Sequence, residues 1–279
     1  MAGLDVLIPT CGRAAALAVT LATLATQSYR DFRVVIADQS ERPGAGEAYE
    51  VKAVLRLLDH RGHQPALLSN LPRRGVAENR QFLLDRVTAP RALFLDDDLM
   101  LEPWVVGQMV RALDQERCGF VGSGVIGLSH RGDVRPQEQA IEWWDGPVEP
   151  ETIVPGGPGW ERHRLHNAAN LLHVAERLRI DPAHPRRYRV AWVGGCVLYD
   201  VNALRGVGGF SFWRELPAVH AGEDVLAQLR VMASHGGCGL IPSGVYHQEL
   251  PTTVTDRRVD APRRLPIVRG AGRPASIED

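Results

Sequence analysis

Over the first hundred residues, short apolar runs alternate with stretches of helical period, and few folds accommodate that alternation. Leu4, Val6, Leu7 and Ile8 form a buried-strand run stopped by Pro9. Residues 14–27 then place Leu17, Leu21 and Leu24 on one helical face. A second strand (FRVVIA, 32–37) precedes a break at Pro43, Gly44 and Gly46, a helix over 47–58 and a short strand at 66–68. A further helix begins just after Gly75 and runs to about Val87, and the run Ala92, Leu93, Phe94, Leu95 ends abruptly in three aspartates. Strands and helices of these lengths in strict alternation build right-handed β-α-β units. The expected fold class is therefore α/β: a single domain with a Rossmann-like, mostly parallel central sheet flanked by helices.

The second half is less regular. A helix is expected over 102–114 with Pro103 in its first turn, strand-like segments over 120–128 and 190–199, a helix after Gly222 and a late strand near 238–241. Residues 130–189 are polar, carry tryptophan, histidine and proline, and show no clear period; a stretch that long usually carries function or an insertion. The expected organisation is one domain over 1–255, with a nucleotide-binding half (1–115) and an acceptor half (116–255), and an Arg/Pro-rich irregular tail over 256–279. At 279 residues, 44% apolar and with a formal net charge of -1, the chain is not a generally basic nucleic-acid binder. Cys11, Cys118, Cys196 and Cys238 are scattered without a C-x-x-C pair, so neither a zinc knuckle nor a disulfide framework is expected.

Asp96, Asp97 and Asp98 directly follow the strand ALFL. Ligands of open parallel sheets bind beyond the carboxyl ends of the strands. Three adjacent carboxylates repel one another, and a divalent cation shared with ligand phosphates relieves that repulsion. The competing reading is a solvated acidic turn capping the helix near Pro103.

Around these residues the chain resembles the family-2-like glycosyltransferases with the GT-A fold. LFLDDDLMLEPW is similar to their D-x-D region, DVLIPTCGR to their first strand and nucleotide loop, and VVIADQS to the second strand, with Ala37 in place of the first aspartate. GVAENRQFLL resembles the glycine-led Arg-Asn helix, with Gln81 where asparagine is usual. WVGGCVLYDVNALRGVGGF resembles the acceptor-side strand, and AGEDVLAQLR the Glu-Asp motif opening the catalytic helix.

The resemblance implies an inverting, metal-dependent transfer of a sugar from a nucleotide-sugar, commonly a UDP-sugar, to an acceptor hydroxyl. By it, Asp98, Asp96 and His247 would hold Mn²⁺ or Mg²⁺, and Asp96 and Asp97 would also face the donor ribose. Asp224 would act as general base, with Glu223 holding the acceptor or orienting the helix start. Pro9, Thr10, Arg13, Asp38 and Arg80 would complete the donor site, Asp38 by accepting a hydrogen bond from the base. Trp192, Gly194, Gly195 and Trp213 are candidates for the acceptor side, since indole faces stack on sugar rings. Two alternatives stand beside this reading: a sugar-phosphate nucleotidyltransferase, against which the glycine-poor loop Pro9, Thr10, Cys11, Gly12, Arg13 argues, and an inactive nucleotide-binding module of the same fold. A dehydrogenase is excluded by the missing G-x-G-x-x-G after the first strand. The expected partners are a nucleotide-sugar and a carbohydrate, glycolipid or other hydroxyl acceptor, without nucleic acid. The expected location is cytoplasmic, with peripheral contact at the inner membrane face left open.

Overall fold

The computed structural model of the protein describes residues 2–254 and 256–268. In chain order the first half contains β1 (Leu4–Thr10), α1 (Ala14–Ala25), β2 (Phe32–Asp38), α2 (Tyr49–His60), β3 (Ala66–Ser69), α3 (Val76–Leu84), β4 (Arg91–Leu95), β5 (Leu99–Leu101) and α4 (Val105–Glu116). The second half contains β6 (Phe120–Gly122), β7 (Val125–Ile126), α5 (Asn170–Leu178), β8 (Arg186–Tyr188), β9 (Cys196–Asp200), α6 (Val201–Gly206), α7 (Glu223–His235), β10 (Gly237–Ile241), β11 (Val245–His247) and α8 (Ala261–Arg264).

Eight strands form the central sheet in the order β3-β2-β1-β4-β9-β6-β10-β8. Strands β3, β2, β1 and β4 pair in parallel, while β9 runs antiparallel between β4 and β6. The two-residue period of the strands sends alternate side chains to opposite faces. Leu7 and Phe94 thus join a core covered by α3, α5, α6 and α7, whereas Val6, Ile8, Leu93 and Leu95 join one covered by α1, α2 and α4. The α/β class and the mostly parallel sheet are as expected from the sequence.

Three expected elements differ in extent. The run over 120–128 splits into β6 and β7 because the two pieces belong to different sheets, β7 joining a three-stranded sheet of order β5-β11-β7. The run over 190–199 is strand only from Cys196, since Val193 is tied sideways to α7 rather than to a neighbouring strand. The segment expected as an irregular tail folds back in part. Ala221 N–H donates to Val259 O (2.9 Å), Ala261 N–H donates to Ala221 O (2.9 Å), and α8 buries Ala261. Its arginine-rich composition hid two apolar anchors, Ala261 and Ile267. Residues 269–279 of the expected tail lie outside the described residues.

Candidate active site

The parallel strands β1, β2 and β4 end together, at Thr10, Asp38 and Leu95, so the three aspartates stand on the carboxyl edge of the sheet. They point different ways. Asp97 is buried and accepts a hydrogen bond from the Thr10 hydroxyl (2.6 Å). Burial pushes its carboxyl up to about 6, with Asp98 and Asp96 adding to the rise and Thr10 opposing it. Thr20 of α1 pins the turn: its hydroxyl donates to Asp97 O (2.9 Å) and accepts from Leu99 N–H (3.0 Å). Asp97 and Asp98 are therefore both buried at the sheet edge, and Asp96 is the open one.

Asp98 meets residues from both ends of the chain. Strand β11 pairs antiparallel with β5, with His247 opposite Leu99, and Gln248 N–H donates to Asp98 O (2.9 Å). That register places His247 Nε2 3.3 Å from Asp98 Oδ2. Glu249 N–H donates to His247 Nδ1 (2.7 Å), which leaves the ring proton on Nε2, facing the carboxylate. Arg13 Nη1 donates to the same Asp98 oxygen, and Nη2 donates to Pro251 O. Burial alone would raise the Asp98 pKa; His247 and Arg13 outweigh it and hold the carboxyl below its ordinary value. The hydrogen bond to Asp98 in turn raises His247.

Asp96 is the most open of the three and belongs to a second ion-pair system. Arg80 of α3 donates through Nη2 to Asp96 Oδ1 (2.8 Å) and through Nε to Glu223 Oε1 (3.0 Å). Burial works against its charge, but Asp96, Glu223 and Asp224 raise its pKa above the ordinary arginine value. Asp224 sits in the first turn of α7. Burial pushes its carboxyl up to about 7, with Glu223 adding to the rise and Arg80 opposing it. Gly195, at φ +76°, accepts at its carbonyl oxygen from Asp96 N–H (2.8 Å); a Cβ there would lie 3.1 Å from Leu99 and Val125 and 3.3 Å from Asp96 Oδ2. Only glycine combines that backbone with such close approach.

Other candidates have settled partners. Asp38 Oδ1 accepts from Ser40 N–H (2.8 Å) and from the Ser40 hydroxyl (2.5 Å), and Oδ2 accepts from Ala45 N–H (2.7 Å), so the carboxylate first organises the loop after β2. Pro9 is a residue of β1, in register with Ala37. Trp192 stacks on His163 at 4.7 Å and tilts against Trp160 at 4.5 Å. Trp213 packs on the core, with the Arg214 guanidinium 4.8 Å from its ring. Gly194 has no atom within 4 Å of where a Cβ would stand. Gln81, the departure in α3, accepts from Phe210 N–H (2.8 Å) and so ties α3 to the second half.

One positioning residue escaped the sequence reading. Gln228, fully buried one turn after Asp224, accepts from Val193 N–H (2.8 Å) and donates to Val193 O (2.7 Å). It fixes the backbone just before Gly194 and Gly195 to the helix that carries Asp224. A buried glutamine four residues after an acidic pair was the available signal, but periodicity alone does not show which backbone it meets. Gln228→Leu orphans both groups of Val193 and is expected to cost roughly 1–3 kcal/mol for each, a loss that urea denaturation reads directly.

Two facts bear on a metal. Among the described residues, no three or more of His, Cys, Asp and Glu converge on a common point. The pair Asp98 and His247 nonetheless fits: their 3.3 Å separation is close to the ~3 Å between adjacent ligands of an octahedral ion with bonds of about 2.1 Å. Such an ion completes its shell with phosphate oxygens and water rather than with a protein cage.

The sequence pattern described as Glycosyl transferase family 2 matches residues 5–170. No curated protein matches the chain. Among solved structures, TarS 1–349 of S. aureus in complex with UDP-GlcNAc is similar at TM-score 0.58 and 12% identity, over 90% of this chain and 60% of that one. GalNAc-T7 with UDP, GalNAc and Mn²⁺ is similar at TM-score 0.57 and 14% identity, over 91% of this chain and 46% of that one. The mannosyltransferase PcManGT of Pyrobaculum calidifontis, in complex with GDP-Man and Mn²⁺, is similar at TM-score 0.50 and 17% identity, over 85% and 56%. The chain thus spans less than two thirds of each of these structures. At such identities the likeness speaks to the fold. Among the described residues, no helix is long and apolar enough to cross a membrane.

Proposed function

Because the chain belongs to glycosyl transferase family 2, we propose that it transfers a sugar from a nucleotide-sugar to an acceptor hydroxyl with inversion, aided by a divalent metal. The observation that carries this reading is one sheet edge holding the pair Asp98 and His247 together with a raised carboxyl, Asp224, whose neighbour Glu223 is tied by Arg80 to Asp96. Asp98 and His247 would hold Mn²⁺ or Mg²⁺, with Asp96 beside them; His247 would ligate through Nε2 with its proton moved to Nδ1, which releases the hydrogen bond from Glu249 N–H. When bound, the ion supplies Lewis-acid stabilisation of charge on the departing diphosphate.

The chain's own residues divide the remaining work. Asp224, ionised above about pH 7, accepts the proton of the acceptor hydroxyl as its oxygen attacks the anomeric carbon. Glu223 holds Arg80, and Arg80 holds Asp96, so base and donor carboxylates share one rigid frame. Thr10, Cys11 and Gly12, held to the loop after β2 by the hydrogen bond from Gly12 N–H to Ser40 Oγ (2.7 Å), would lie beneath the nucleobase. Asp38 retains lone-pair capacity on Oδ2 for a base N–H once that loop shifts. Trp192 and the Gly194 turn, which flank Val193, would serve the acceptor side. The structures similar in fold were solved with UDP, UDP-GlcNAc or GDP-Man, which supports screening both uracil and guanine nucleotides.

The test is calorimetric titration of UDP, GDP and dTDP, with and without Mn²⁺, on the wild type and on Asp98→Ala. Manganese-dependent binding of one nucleotide is expected, weakened at least tenfold in the variant, about 1.4 kcal/mol. Metal-independent binding would remove the metal from the reading, and no binding at all would remove the donor site.

A further inference from the structure

We propose that Arg13 is the resident cation of the aspartate pocket. It yields Asp98 to a divalent metal when a nucleotide diphosphate arrives to take its guanidinium, so metal and nucleotide bind as a linked pair. This inference rests on the donor-site reading and adds to it a specific exchange of partners.

The geometry is that of a shared seat. The Asp98 Oδ2 atom that fits an ion together with His247 Nε2 already carries Arg13 Nη1. The same nitrogen lies 3.6 Å from Asp97 Oδ1, and Nη2 reaches across to Pro251 O. The Arg13 side chain is only 15% exposed, so it fills the pocket rather than fringing it. A guanidinium cannot shed its proton to make room for a dication. A metal binding by itself must therefore displace Arg13 and leave it near two added positive charges.

Arg13 also stands at the start of α1, in the N-cap position. The unpaired N–H groups and dipole of a helix N-terminus attract anions and disfavour a cation. Arg13 is tolerated there because Asp97 and Asp98 face it. A diphosphate entering beside α1 restores the balance: the metal takes Asp98, and the guanidinium fork takes phosphate oxygens. The move also releases the contact to Pro251, in the segment that starts at Gln248 and wraps the pocket by its hydrogen bond to Asp98 O.

The test uses the full chain with Mn²⁺ alone, followed by electron paramagnetic resonance of free Mn²⁺, and then with UDP or GDP added. In the wild type, Mn²⁺ alone is expected to bind weakly and nucleotide to tighten it roughly 30-fold, within the usual span of linkage between sites. Arg13→Gln is expected to bind Mn²⁺ alone about tenfold more tightly, consistent with removal of a like charge in partly screened surroundings, and to show a linkage smaller by about the same factor, the remainder coming from direct contact of metal and phosphate. Arg13→Lys keeps the competing charge and is expected to stay near the wild type for Mn²⁺ alone. Manganese affinity that Arg13→Gln leaves unchanged or lowers, or binding undetectable in both proteins, overturns the proposal. A linkage as large in Arg13→Gln as in the wild type overturns the exchange while the donor site stands. Failure of the wild type to bind either nucleotide with Mn²⁺ removes the donor site itself, and the exchange with it.

Discussion

Replacing Asp224 by Asn is expected to lower turnover by about 10²–10⁴-fold, the usual contribution of a general base, while nucleotide and Mn²⁺ binding persist. Asparagine keeps the volume and cannot accept the acceptor proton. The wild-type rate should fall about tenfold per pH unit below a midpoint near 7, because the carboxyl must be ionised to act and burial raises its pKa to about 7. The stability effect has the opposite sign. A carboxyl whose folded pKa is raised favours the protonated folded state, so its ionisation burdens the fold as pH climbs from the ordinary carboxyl value near 4. Asp224→Asn should therefore melt at a higher temperature than the wild type at pH 8, and the gap should close towards pH 4. A turnover within threefold of wild type, measured with a donor and acceptor found by screening, would remove Asp224 from the mechanism.

The second large effect concerns Arg80. Arg80→Met leaves Glu223 buried without its guanidinium and frees Asp96 from the frame. Losing one partner of a buried ion pair costs roughly 3–5 kcal/mol, enough to lower the melting temperature by about 10 °C in a chain of this size. The deficit should shrink as pH falls, since the orphaned carboxyls then take up protons. Adding Glu223→Gln to the variant should recover part of the loss, because the buried charge goes with it. Equal melting temperatures for Arg80→Met and the wild type would show that the bridge does not hold the site together.

The frame was partly visible before any coordinates. Strands β1, β2 and β4 could be read because each is an apolar run buried almost throughout, and α1 because Leu17, Leu21 and Leu24 form a buried stripe. Arg80 and Asp98 could be singled out by motif, but not the fact that Arg80 bridges two carboxylates from different elements. The small sheet left almost no trace, since β5, β7 and β11 are three residues or fewer and carry no periodicity. For Asp38 the motif left out the local partners. A carboxylate at a strand end suggested a ligand contact, whereas in the fold its oxygens are first engaged by Ser40 and Ala45. Local hydrogen bonds of this kind are common for aspartate in turns. Likewise the sequence, which offers Trp192 as an acceptor-side candidate, does not show that it stacks on His163 and tilts against Trp160.

The pairing of β5 with β11 has a consequence for biosynthesis. Asp98 emerges from the ribosome early and His247 late, yet Leu99 and His247 must meet in one register for the two to stand together. Closing so long a loop comes late in folding, because its entropy is lost before its contacts form. A nascent or truncated chain ending before residue 245 would already hold the nucleotide half, but with a bare strand edge at Leu99, Met100 and Leu101 and only one partner of the proposed cation pair. Competence to bind the proposed cation thus waits until His247 has been made, and chains cut before it are expected to be both inactive and prone to edge-to-edge association.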